Sequence, residues 1–195
     1  MDYKIVLGYI TGFTALAANI PYLRNIFAGK TKPHAFSWLV WSVTTCIVFF
    51  AQISKDAGAG AWVTGAVSFA CFVVFILSLA KGERNFILFD WLSLFAALAS
   101  LILWWYVKDP TIAVVFLTLT DVIGYFPTYR KGYYKPDEET ISLFLIGAIN
   151  FIVSLFALES FSLATWFYQV MIASANSVLV AIVLARRAIL KKRIG

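Results

Sequence analysis

Seven long apolar segments divide this chain, and they constrain its fold more than any other feature. They cover approximately residues 5–27, 36–54, 60–80, 86–107, 111–129, 141–158 and 161–185. Each comes close to the about 20 apolar residues that an α-helix needs to cross a bilayer, and the continuous apolar runs are unlike the alternating strands of a membrane barrel. Only 13% of the residues are charged, about half the share in a soluble domain. We therefore expect an all-α membrane protein with seven transmembrane helices.

The basic residues between the segments indicate the orientation of the helices. When alternate connections are assigned to opposite sides, 13 of the 16 lysines and arginines fall on the side that holds the C-terminus, and only Lys4, Lys55 and Lys108 fall on the other. Basic residues accumulate on the cytoplasmic side. We therefore expect a multi-pass protein of the cell membrane (the inner membrane in a bacterium) with its N-terminus outside and its C-terminus in the cytoplasm. Every basic residue is expected at or beyond a helix end, so the net charge of +6 predicts no nucleic-acid partner.

The first and fifth segments share a short pattern, which indicates an internal repeat. Pro21 and Arg24 recur 106 residues later as Pro127 and Arg130, and a basic connection that contains a Lys-Pro pair follows each pattern. We interpret the chain as two copies of a three-helix unit, residues 1–85 and 110–195, joined by a linker transmembrane helix in residues 86–109. Because three is odd, the linker must cross the membrane if both copies have the same orientation. This is a 3+1+3 parallel repeat.

The repeat resembles the PQ-loop/SWEET superfamily, whose members have a proline near the cytoplasmic end of the first helix of each unit. Where that family has Pro-Gln, this chain has Pro21-Tyr22 and Pro127-Thr128. The resemblance implies a membrane transporter that moves a small polar solute, such as a sugar or an amino acid, by alternating access. The alternative is a ligand-binding or sorting receptor on the same scaffold, as the KDEL receptors are. A structural or accessory subunit of a larger complex is a third option.

Polar and aromatic side chains at mid-helix depth are the candidate solute ligands. Amides in hydrocarbon need hydrogen-bond partners and therefore point into the bundle. We select Asn150 and Asn176 first, with Asn19 as a further amide and Trp41 as a ring that can stack on a ligand. The resemblance implies that Asn176 corresponds to the substrate-facing asparagine of SWEETs. The matching place in the third segment, around Cys71, has no asparagine.

Asp121 is the candidate for proton coupling. It lies near the middle of the fifth segment, where an ionised carboxylate facing lipid is costly, so its side chain should face the bundle interior or a wet cavity. There it can line the solute site, carry a proton or pair with a cationic group. The alternative is a structural carboxyl group that is hydrogen-bonded to Thr118, Thr120 or a neighbouring helix.

Pro21 and Pro127 are candidate hinges. A proline inside a helix removes a backbone hydrogen bond and bends the helix. Two prolines at equivalent places of two repeats suggest a symmetrical gate on the cytoplasmic side. A static kink or a helix end is the alternative for each.

Several chemistries are not expected from this sequence. Its one histidine lies in a connection, and Cys46 and Cys71 lie inside apolar segments, where cysteine is usually a small packing residue. No catalytic or nucleotide-binding motif occurs. We therefore predict no cofactor, no metal site and no enzymatic activity. The expected partners are the solute and the lipid bilayer, and the oligomeric state stays open.

Overall fold

The computed structural model describes residues 2–83, 87–107 and 109–194, and within these ranges the protein is helical, with no β-strand. Seven α-helices follow in order: α1 (Tyr3–Phe27), α2 (Ala35–Ile53), α3 (Trp62–Lys81), α4 (Leu88–Val107), α5 (Pro110–Tyr134), α6 (Ile141–Leu155) and α7 (Leu163–Ile194). Two short 3-10 helices, Gly58–Ala61 and Pro136–Glu138, precede α3 and α6. Each predicted apolar segment thus corresponds to one α-helix.

The helices have the length and composition of membrane spans. Five of them in the described part of the chain are long and apolar enough to cross a bilayer, with Gly58–Ala61 counted as the start of the third. The α6 helix is apolar but shorter, with 15 residues. Large apolar side chains such as Phe13, Phe69 and Phe126 are at least half exposed on the outer surfaces of these helices. A surface of this kind suits lipid and not water, and it indicates a membrane protein.

The predicted ends of three helices were wrong. The α5 helix continues past residue 129 to Tyr134, α7 continues past residue 185 to Ile194, and α6 ends at Leu155 instead of residue 158. The α5 and α7 helices continue because Lys and Arg are good helix formers. The backbone hydrogen bonds of a helix also form outside the bilayer, so a helix need not end where its apolar segment ends. As a result Lys131 lies within α5 and is buried. The expectation that every basic residue lies at or beyond a helix end is also wrong, because Arg186 and Arg187 lie about two turns before the end of α7.

The helix neighbours follow one scheme in both halves of the chain. In the first group, α3 packs against both α1 and α2. In the second group, α7 packs against both α5 and α6. The two groups meet where α1 packs on α6 and where α5 packs on α2, while α4 lies outside, mainly against α5. Side chains of α1, α2 and α3 therefore contact side chains of α5, α6 and α7 in the space between the two groups.

Two names describe the ends of this bundle. The basic end is where α1, α3, α5 and α7 have their C-termini, and it includes residues 28–34 and 135–140. The opposite end is where α2, α4 and α6 have their C-termini, and it includes residues 54–61 and 156–162.

Candidate solute site

A cavity of about 70 Å³ lies between the two groups of helices. One water molecule needs roughly 10–15 Å³ of such space, so several waters or a small solute can be accommodated. Among the described residues its wall comes from every α-helix except α4. All five residues that the sequence predicted for a solute site line it: Asn19, Trp41, Asp121, Asn150 and Asn176.

Asp121 lies in the wall of this cavity with 1% of its surface exposed. The Tyr168 hydroxyl donates a hydrogen bond to Oδ2 at 2.9 Å, and the Thr44 hydroxyl is hydrogen-bonded to Oδ1. The two partners that the sequence suggested within α5, Thr118 and Thr120, each donate to a backbone carbonyl oxygen one turn earlier, whereas the suggested bond to a neighbouring helix is present. The carboxyl group is therefore held by α2 and α7, one helix from each group.

The Thr44 hydroxyl has two oxygen neighbours and only one proton. Its Oγ1 lies 2.7 Å from the Val40 carbonyl oxygen, which can only accept, and it also contacts Asp121 Oδ1. If Asp121 is ionised, one hydroxyl proton must serve two acceptors. If Asp121 is protonated on Oδ1, it donates to Thr44 while Thr44 donates to Val40, and each contact has its own proton. The geometry therefore favours the neutral acid.

The three asparagines are each partly engaged. Tyr125 donates its hydroxyl proton to Asn176 Oδ1 at 2.8 Å, and Thr14 contacts Asn150 Oδ1 at 2.8 Å. Asn19 donates through Nδ2 to the Ala15 carbonyl oxygen at 2.8 Å.

Three buried polar atoms of the wall have no hydrogen-bond partner among the described residues: Asn19 Oδ1, Asn150 Nδ2 and Thr45 Oγ1. A buried polar group without a partner costs about 1–3 kcal/mol. They belong to wall residues of α1, α6 and α2, so both groups of helices contribute residues with an unsatisfied polar atom beside the cavity.

Aromatic rings form one side of the cavity. Trp38 and Trp41 meet edge to face with centroids 5.1 Å apart, and Trp41 lies 4.7 Å from Tyr125. The Trp41 indole N–H donates to the Asp121 backbone carbonyl oxygen at 3.2 Å, which fixes the ring beside that residue. Sequence reasoning missed Tyr125 and Tyr168. Tyr125 lies four residues after Asp121 on the same helix face, which is a usable signal, whereas nothing local marks Tyr168.

The two candidate hinges lie inside helices and outside the cavity wall. Pro21 is within α1 and Pro127 within α5, several residues before each helix ends. Neither proline is a helix end, and each removes one hydrogen bond from the helix interior. Their surroundings differ, because Pro21 is exposed and Pro127 is buried. Their role as hinges stays a prediction.

At the basic end a buried ion pair of the second group, Lys131 and Glu139, is hydrogen-bonded to the Lys32 carbonyl of the first group, and we call these three groups the basic junction. Lys131 Nζ lies 2.6 Å from Glu139 Oε1, and the two side chains are 5% and 3% exposed. The same ammonium donates to the Lys32 carbonyl oxygen in the α1–α2 connection. Arg187 of α7 donates to the Glu139 backbone carbonyl oxygen at 2.9 Å. Burial raises the pKa of Glu139, and the neighbouring Lys131 charge opposes that rise without cancelling it.

At the opposite end the two groups are joined by two amides, which we call the glutamine junction: Gln52 and Gln169. Gln52 of α2 donates through Nε2 to Gln169 Oε1 of α7 at 3.1 Å, and both side chains are fully buried. Gln169 in turn donates to the Gly60 carbonyl oxygen at 3.4 Å. At about 1.5 Å per residue, this junction lies about 12 Å from Thr44 along α2, and the basic junction about 15 Å from Asp121 along α5. The candidate site thus lies between the two.

Comparisons of this chain with protein-family models, with curated proteins and with solved structures found no match. The site is therefore interpreted from its own geometry.

Proposed function

We propose that this protein is a membrane transporter that moves a small polar solute by alternating access. The observation that carries the proposal is the cavity between two groups of three helices, whose wall includes polar residues of both groups, among them Asn19 and Asn150, each with one buried polar atom that has no partner among the described residues. A purely structural bundle gains nothing from such atoms, because each one lowers stability. A solute that reaches these atoms when the bundle opens would give them partners.

The arrangement of the helices supports this mechanism. The neighbours of α1, α2 and α3 recur among α5, α6 and α7, as expected for a parallel repeat of three-helix units joined by α4. In transporters of this kind the units rock against each other around a site at their interface. We propose this 3+1+3 arrangement, with all seven helices crossing the cell membrane and the basic end in the cytoplasm. Pro21 and Pro127 would allow α1 and α5 to bend during the motion.

Proton coupling through Asp121 is part of the proposal. The single proton of Thr44 favours a protonated Asp121 in this conformation. A second conformation that opens the site to water would stabilise the ionised carboxylate, because water solvates charge better than the bundle interior does. One proton would then accompany each cycle. A transport rate that is independent of pH in the wild type and in Asp121→Asn alike would rule out this coupling.

The test is a ligand screen followed by transport of any ligand found. Purified protein in detergent is heated with sugars, amino acids, nucleosides and vitamins at two pH values, since a ligand of the folded state raises the melting temperature. We expect at least one class to do so, with the effect lost in Asn176→Ala. Ser174→Ala is the matched control, because Ser174 is exposed on the same helix and bonds only its own backbone turn.

Transport itself distinguishes the proposal from its alternative. A radiolabelled hit should exchange across proteoliposomes that contain the wild type and not across those with Asn176→Ala. A hit that binds in the cavity and never crosses the membrane would contradict transport and favour a receptor on the same scaffold.

A further inference from the structure

The charge of the cavity wall is uneven. Its titratable side chains, among the described residues, are Asp121, the Cys71 thiol of α3, and the phenols of Tyr125 and Tyr168. Asp121 is the carboxyl group among them, and the described part of the wall includes no lysine, arginine or histidine. An anionic solute would find no opposite charge there and would meet a carboxyl group instead. Burying an unpaired charge is costly in a low-dielectric bundle, so the wall disfavours anions.

The surroundings of Asp121 suit a cation. Trp41 is fixed against its backbone, Tyr168 holds one of its oxygens, and Tyr125 lies 4.7 Å from Trp41. Aromatic faces attract organic cations through the ring quadrupole, most strongly where water is excluded. A carboxylate beside such rings offers a counter-ion and an apolar enclosure at one place. Asn19 and Thr45 are further polar residues of the wall, each with a buried oxygen that has no partner among the described residues.

We infer that the transported solute is a small organic cation, an ammonium or amidinium compound, and that it exchanges with the proton of Asp121. This inference rests on the proposed function and specifies the charge of the solute. As the cation enters, the carboxyl proton leaves to water and the carboxylate becomes the counter-ion. The site then contains no net charge in either state: a neutral acid without the solute, and an ion pair with it. Thr44 contacts Asp121 in both states: its hydroxyl accepts from the acid while donating to Val40, and it donates to the carboxylate when it gives up its bond to Val40.

The test compares probes of one shape and different charge. Alaninamide is a cation near neutral pH, lactamide is its neutral counterpart and lactate its anion; choline and 3,3-dimethylbutan-1-ol form a second matched pair. Binding is followed by tryptophan fluorescence, since Trp38 and Trp41 line the wall, and by calorimetry in two buffers of different protonation enthalpy. We expect the cations to bind at least about tenfold more tightly than the neutral probes. About one proton should be released per cation bound.

Two variants and the pH profile assign the effect to Asp121. Asp121→Asn should fold, since its amide can donate to Thr44 as the acid does, but it should lose both the preference for cations and the proton release. Ser174→Ala should retain both. In the wild type, cation affinity should increase as the pH rises and Asp121 gives up its proton. A Cys71→Ala variant should show the same profile, which excludes the neighbouring thiol as the source.

The outcomes separate this inference from the proposed function. Neutral probes that bind as tightly as cations, or a preference for lactate, would overturn the inference and leave a transporter of uncharged or anionic solutes. Cation binding without proton release and without pH dependence would overturn the exchange, even if Asp121→Asn fails to fold. If no probe binds while a neutral solute is found in the broader screen, the inference fails alone. If neither experiment finds a ligand, both fail.

Discussion

The basic junction and the glutamine junction both connect the two groups of helices, the first through charged side chains and the second through neutral amides. At the basic end the Lys131 ammonium and the Glu139 carboxylate lie 2.6 Å apart, and both side chains are buried. At the opposite end two neutral amides meet at 3.1 Å. Each junction connects the first group of helices with the second, and each leaves one buried oxygen without a described partner, Glu139 Oε2 and Gln52 Oε1.

The difference between them lies in what happens when one partner is lost. Separating an ion pair in a dry place leaves an uncompensated charge, whereas separating two amides leaves only an unsatisfied dipole. Lys131 and Glu139 both belong to the second group, so moving the two groups apart leaves this ion pair intact and breaks the hydrogen bond from the Lys131 ammonium to the Lys32 carbonyl oxygen. The glutamine junction can open at a smaller cost. Under the proposed alternating access the two ends would differ in the free energy that holds them closed, because a hydrogen bond to a charged group contributes about 1.5–3 kcal/mol and one between membrane helices about 0.6 kcal/mol on average.

Removing the lysine of the basic junction should have the largest effect. In Lys131→Met the Glu139 carboxyl group loses the ammonium that compensates it, and breaking such a pair costs about 3–5 kcal/mol. The free energy of unfolding, measured by denaturant titration in detergent, should fall by about this amount. Lys135→Met is the matched control. Its pair with Glu83 is longer, 3.3 Å, and the lysine is half exposed, so the loss should stay below about 1 kcal/mol.

The double variant Lys131→Met, Glu139→Met separates the effect of the side-chain charges on stability from the effect of their shape. Replacing both partners of a buried pair by apolar groups of similar size is often close to neutral. Most of the stability lost in the single variant should therefore return. Equal losses in Lys131→Met and Lys135→Met would show that the basic junction is no stronger than an exposed ion pair.

The glutamine junction should be weaker when tested in the same way. Gln52→Met takes the donor from Gln169 Oε1 but leaves no charge behind. Hydrogen bonds between membrane helices contribute about 0.6 kcal/mol on average and about 1.7 kcal/mol at most. The same denaturant titration should give a loss in that range, well below that of Lys131→Met. A loss as large as that of the lysine variant would contradict the contrast between the two ends.

Sequence reasoning located the cavity better than it located either junction. Asp121, Asn150 and Asn176 were recognisable because a polar group at mid-depth in an apolar segment has no partner in lipid and must face inward. That argument needs no knowledge of which helices are neighbours. It fails for Lys131, since a lysine just beyond an apolar segment looks like an anchor at the headgroups. Lys131 lies beside Glu139 only because α5 extends to Tyr134 and the 3-10 helix Pro136–Glu138 follows it.

Partners across the cavity were beyond the reach of the sequence for the same reason. Thr44 and Tyr168 hold Asp121 from α2 and α7, and the spacing along the chain says nothing of their contact. Tyr168 lies close to the start of α7, where an aromatic residue is more commonly part of the interfacial belt. The apolar segments predicted the helices well, because hydropathy is a property of one segment. The contacts of the site are properties of pairs of segments.

The acids at the two ends should respond to pH with opposite signs. Burial raises the pKa of Glu139, so the folded protein holds this proton more tightly than the unfolded chain does. The contribution of Glu139 to the stability of the folded protein is greatest at pH values below the usual pKa range of glutamate. It is lost as the pH rises through the raised pKa. The melting temperature should therefore decrease over this interval, and Glu139→Gln should remove that decrease. An unchanged slope in Glu139→Gln would assign the pH dependence to other groups.

The smallest effect is expected from Asp109, which begins α5 at the opposite end. It caps the helix, because its Oδ1 accepts the backbone N–H groups of Thr111 at 2.7 Å and Ile112 at 3.2 Å, and these bonds lower its pKa. A lowered pKa stabilises the folded state above the usual aspartate range, and this contribution is lost as the pH falls through the lowered value. Since the side chain is exposed, Asp109→Ala should lower the melting temperature at neutral pH by no more than about 2 °C. Asp109→Asn, which also caps well, should lower it less. At acidic pH the wild-type Asp109 is itself protonated and its cap is weaker, so Asp109→Ala should lower the melting temperature less there than at neutral pH. A larger decrease at acidic pH would contradict the expected pH dependence.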